Sequence, residues 1–147
     1  MKKIFFAIIS ILIGQATMAQ NTDKLLTEYL AIKDALIVGN SQTVSNSLTT
    51  FQATLKSETD FKGKEDLLKA SEKMSKKKNI EDQRGSLSEL SIALWKIVKA
   101  SANSQNPVYY DYCPMKKAYW ISKDKEIKNP YYGTAMLGCG KISESKN

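Results

Sequence analysis

Apolar residues recur along most of this chain at spacings of three and four. Between Thr22 and Val38, residues Leu25, Tyr29, Ile32 and Leu36 fall on one face, widened by Leu26, Leu30 and Ile37. That stripe predicts a helix packed on a core, and Gly39-Asn40 predicts its end. Val44, Leu48, Phe51 and Leu55 predict a second helix over about 41–56. Its opposite face is Ser, Thr, Asn and Gln, so packing rather than propensity must hold it helical. A third segment carries Leu67, Leu68, Ser71 and Met74 before running into Lys76-Lys77-Lys78, and a fourth spans about 80–101. Ile80, Leu87, Leu90, Leu94, Ile97 and Val98 form the stripe of this last segment, and Gly85 is its weak point. Four amphipathic segments joined by short polar turns predict a mainly α fold, an up-down bundle of about four helices.

The ends of the chain break this pattern. Lys2 and Lys3 precede an uncharged apolar run from Ile4 to Gly14, and Ala16-Thr17-Met18-Ala19 supplies small residues before a cut. Residues 1–19 therefore read as a signal peptide, and 20–147 as a single helical domain that is periplasmic or secreted. The apolar run is too short for a bilayer span, so no stable membrane insertion is expected after cleavage. Within 20–147, residues 20–101 hold the helices and 102–147 form a Cys/Met/aromatic region. That region begins with a loop at 103–107, is rich in Tyr, and holds both cysteines. Short strands or ordered loops draped over one end of the bundle are expected there, with a tight turn at Asn129 to Gly133.

Charge and composition narrow the chemistry. The net charge is +7, and +5 remains once Lys2 and Lys3 are removed with the signal. Arg84 is the only arginine, whereas phosphate and base recognition favours arginine's rigid fork of donors, so no nucleic-acid partner is expected. The chain has no His, which removes Ser-His and Cys-His pairs and all imidazole metal sites. Carboxylates are scattered over polar faces, and no glycine-rich phosphate loop is present. The chain is not expected to be an enzyme.

What remains is a set of soft ligands. Cys113 and Met115 lie two residues apart, and Met136 and Cys139 three apart. Thiolates and thioethers favour monovalent copper and similar ions, and two such pairs converging from separate loops would make an all-sulfur site. The same residues support a second reading. Two cysteines in an oxidising compartment tend to pair, and a Cys113–Cys139 disulfide closing a loop of about 26 residues would stabilise the fold by roughly 3.5 kcal/mol. Methionines beside aromatics are also ordinary packing material.

The strings Tyr112-Cys113-Pro114-Met115, Trp120-Ile121-Ser122, Asn129-Pro130-Tyr131-Tyr132-Gly133 and Met136-Leu137-Gly138-Cys139-Gly140 resemble a bacterial family of unknown function. The likeness extends upstream to the segment Tyr29 to Leu36, to Gln83-Arg84 and to Leu90-Ser91. Members of that family occur as small exported proteins and as the C-terminal module of membrane-fusion subunits in copper/silver efflux systems. The resemblance implies a periplasmic soft-metal (Cu(I)/Ag(I)) binding or chaperone-like domain, with copper or silver as the ion and efflux-system or other periplasmic proteins as partners. Its ligands would be Cys113, Met115, Met136 and Cys139, with Tyr112 and Trp120 as an aromatic shield. This chain has Ser86 near where relatives carry a His. The alternative is an exported non-metal interaction module held by the Cys113–Cys139 disulfide.

Overall fold

The structure is a computed structural model that describes residues 22–101 and 106–147. The signal-peptide reading of residues 1–19 and most of the loop expected at 103–107 lie outside the described residues. The first helix, α1, runs over residues 22–38, followed by α2 (Ser41–Ser57), α3 (Lys64–Ser75) and α4 (Ile80–Ala100). Three strands follow: β1 (Val108–Cys113), β2 (Ala118–Ser122) and β3 (Lys141–Lys146). The chain is mainly α, with a small antiparallel sheet at the C-terminal end in the order β2-β1-β3.

Local chemistry sets the helix boundaries. Gly39 takes φ +82°, and the amides of Gly39 and Asn40 both close on the carbonyl of Ala35. Asn40 then caps α2 through Thr43 N–H at 2.9 Å, and Asn79 caps α4 through Asp82 N–H at 2.9 Å. On the polar face of α2, Ser45, Thr49 and Thr50 donate their hydroxyls to carbonyls one turn back, so this face leaves few of its hydroxyls to solvent alone. The predicted stripes are the core: Leu25, Ile32, Leu36, Leu48, Phe51, Leu55, Leu87, Leu90 and Leu94 are all buried.

Gln83 and Arg84 tie the helices together at one end. Gln83 is fully buried, and its amide donates to Ser41 O, Ser45 Oγ and Lys77 O, joining the start of α2 to the turn before α4. Arg84 donates through Nε and Nη2 to the carbonyl of Leu36 near the end of α1, and pairs with Glu81 at 2.7 Å. A guanidinium there also complements the negative end of the α1 dipole.

The sheet lies along the flank of α4 instead of over one end of the bundle. Trp95 stacks on Tyr110 at 4.9 Å, and Tyr110 on Tyr119 at 4.7 Å, so three rings fill the space between helix and sheet. Farther along, Glu144 of β3 pairs with Lys99 at 2.7 Å, and Lys146 donates to Ser101 O and Lys99 O at the carbonyl end of α4. Contacts from Ser88 to Ser101, just past the end of α4, hold the sheet against the helix.

The outer edge of β2 is closed by side chains. An open strand edge presents unpaired amides and carbonyls, and here the helices supply their partners. Tyr119 N–H donates to Ser88 Oγ at 3.0 Å and Ile121 N–H to the Tyr29 hydroxyl at 3.1 Å, while the Tyr131 hydroxyl donates to Tyr119 O. The Tyr29 hydroxyl lies 2.6 Å from Ser91 Oγ, which itself donates to Leu87 O at 2.8 Å, so the tyrosine proton points to Ser91. Burial pushes the Tyr29 phenol well above its ordinary range, which keeps this relay protonated. Tyr29→Phe leaves Ile121 N–H without its acceptor and Ser91 without its donor. The expected loss is about 1–3 kcal/mol in urea unfolding, and an unchanged midpoint would show that the relay adds nothing to stability.

Candidate functional site

The sulfur residues gather where the β1–β2 hairpin turns and the chain returns to begin β3. β1 pairs with β2 from Tyr109↔Ser122 to Cys113↔Ala118, and residues 114–117 form the turn, with Lys117 at φ +50°. Met115 stands at this tip, 61 % exposed. The returning segment forms a short 3₁₀ helix (Gly133–Met136), after which Cys139 N–H closes on Met136 O at 3.1 Å. Cys139 Sγ thereby comes to 3.9 Å from Met115 Sδ.

Asn129 fixes that approach. It is fully buried, its N–H donates to Leu137 O at 2.7 Å, its side-chain amide donates to Cys139 O, and its Oδ1 accepts from Tyr131 N–H. One side chain thus clasps both ends of the segment carrying Met136 and Cys139. Two glycines let the same segment lie close to its neighbours. At Gly133, with φ +58°, a Cβ would run into Arg84 Nη2 and come within 3.1 Å of Ile37 O. At Gly140 it would fall 2.6 Å from Trp120 Cη2 and 3.1 Å from Tyr112 O. Lys116 Nζ lies 5.0 Å from the centre of the Tyr132 ring and draws the hairpin tip toward this segment.

The structure therefore sorts the four candidate ligands. Met115 and Cys139 meet, and Met136 stands one turn before Cys139 at 36 % exposure. Cys113 is fully buried, on the sheet face it shares with Asp111, Ala118 and Trp120. Both cysteines are free thiols. Among the described residues, no three Cys, Asp or Glu side chains converge as metal ligands. Of the two expected shielding aromatics, Tyr112 lies tilted against Tyr119 at 4.8 Å, and Trp120 is fully buried beneath Gly140 and edge-on to Tyr131. Trp120 serves as the floor under the Cys139–Gly140 backbone. Ser86 donates its hydroxyl to Asp82 O within α4.

Asp111 is a feature that residue spacing did not reveal. It occupies the central strand, fully buried, and neither carboxyl oxygen has a hydrogen-bond partner. Burial pushes its pKa up to about 7, with the charge of Lys33 pulling the other way. Lys33 of α1 is itself buried and pairs with Asp34 at 3.0 Å. In the sequence, Asp111 is one acid in a run of tyrosines, with no pattern to mark it.

The helical layer carries the assignment to a family. A family model described as a protein of unknown function (DUF3347) matches residues 25–106, which is more than half of the chain. The chain belongs to that family. The matched span includes Tyr29, Lys33, Gln83, Arg84 and Ser91 and ends before β1, so the four sulfur residues lie beyond it. Neither the curated proteins nor the solved structures gave a match. Among the described residues, no helix is long and apolar enough to cross a membrane.

Proposed function

We propose that this member of the family is a periplasmic soft-metal domain that binds Cu(I) or Ag(I) and exchanges it with efflux-system or other periplasmic proteins. The observation that carries the reading is the 3.9 Å approach of Cys139 Sγ to Met115 Sδ from segments 24 residues apart. A thiolate facing a thioether is a donor pair that suits a soft monovalent ion and suits hard cations poorly. Met136 lies three residues before Cys139, and the exposure of Met115 and Met136 leaves the pair open to an exchanging partner. Cys113 stands outside this set, because its sulfur is buried in the interior. The apolar leader at residues 4–14 with its basic start accords with export to the periplasm.

Titration of the reduced protein with Cu(I) against a competing chelator tests the reading. Wild-type protein is expected to bind one ion. Cys139→Ser should weaken binding by roughly 100-fold and Met115→Leu by roughly tenfold, about 2.7 and 1.4 kcal/mol. Cys113→Ser should leave the affinity unchanged. Equal affinity in the wild type and Cys139→Ser would end the proposal.

A further inference from the structure

Asp111 and Trp120 are register partners on adjacent strands, so their side chains project from the same face of the sheet. Both residues are fully buried. Neither oxygen of Asp111 has a hydrogen-bond partner, and the Trp120 indole N–H has none either. An unmatched acceptor and an unmatched donor therefore stand side by side without bonding each other. Buried polar groups in folded proteins are paired with protein or with ordered water in the great majority of cases.

The polar groups around them are engaged elsewhere. The Tyr29 hydroxyl serves Ser91 and Ile121, the Tyr131 hydroxyl serves Tyr119 O, and Asn129 is used at both ends of its amide. The Lys33 ammonium is anchored by Asp34. The geometry points to a buried site between Asp111 and Trp120 that holds one small neutral ligand, a water molecule, accepting from the indole N–H and donating to the carboxyl group.

The chemistry of the two groups selects that ligand. An anion would face the Asp111 carboxylate. A metal cation would face the positive end of the indole N–H dipole, in a region that already contains the Lys33 charge. Only a molecule that both accepts and donates matches the pair. Water does so, and it commonly bridges buried polar groups that lack protein partners.

Only two tryptophans are present, so a ¹⁵N-labelled sample gives two indole signals. The Trp120 indole proton is expected to show a through-space cross-peak to a long-lived water, whereas the Trp95 indole, which donates to Glu144, should show none. Asp111→Asn keeps an acceptor and should keep the cross-peak, and Asp111→Leu should abolish it. A high-resolution crystal structure of the wild type provides an arm independent of how the variants fold. It should show a water within about 3.2 Å of both Trp120 Nε1 and an Asp111 oxygen. The inference is overturned by a wild-type indole without the cross-peak, by a direct Trp120–Asp111 hydrogen bond, or by density for an ion.

Discussion

Trp120→Ala is expected to destabilise the protein by about 3–5 kcal/mol, as large-to-small changes at buried aromatics do. Trp120 is fully buried in β2, meets Tyr131 edge-on at 6.1 Å and lies directly under Gly140. Its removal leaves a cavity beneath Gly140 and beside the Tyr131 ring. For a domain whose total stability is of order 5–15 kcal/mol, this is a large fraction. Trp120→Phe should cost much less, because a smaller ring keeps the contact with Tyr131 and deletes an N–H that has no protein acceptor. Urea unfolding followed by circular dichroism measures both. A loss below about 1 kcal/mol for the alanine variant would mean that the loop above the sheet collapses into the space.

A second large effect comes from Asp111. Burial raises its folded pKa to about 7, above the ~3.9 of an unfolded aspartate. This inverts the usual carboxylate behaviour. Between these two values the folded protein holds a proton that the unfolded chain has released, so stability falls as pH rises from about 4 to about 7 and levels off above that. The stabilising contribution is complete at low pH and lost once Asp111 must be charged in the fold. Asp111→Asn carries no charge to bury. It should remove this slope and be more stable than the wild type at pH 8, by about 2–4 kcal/mol on the shift just given. Parallel slopes in the two proteins would show that Asp111 titrates normally.

The helices were legible because a period of 3.6 writes itself into sequence over many residues. The stripe through Leu25, Tyr29, Ile32 and Leu36 gave α1 its buried face, and Gly39-Asn40 marked its end. The C-terminal region was legible only as short strands or loops, since five or six residues hold too few repeats to fix a register. The sulfur site was half legible. Cys113 and Met115, two apart, would share a face if the strand continued, but β1 ends at Cys113 and the turn at 114–117 carries Met115 away. Met136 and Cys139, three apart, stayed together because a single turn joins them. Nothing in the pattern could show Tyr29 reaching Ile121 across 92 residues, since its stripe explains the ring and is silent about the hydroxyl.

The hydroxyl-sealed edge of β2 bears on what counts as a unit in this family. The span recognised by similarity, residues 25–106, holds Tyr29, Ser88, Ser91 and Trp95, but their partners Tyr119, Ile121 and Tyr110 come after it. The span matched by the family model thus ends inside the packed unit that the fold forms. A chain that keeps the helical part and its tyrosine and serines, but carries a different tail, must bring some other backbone to that groove or leave a row of hydroxyls facing water.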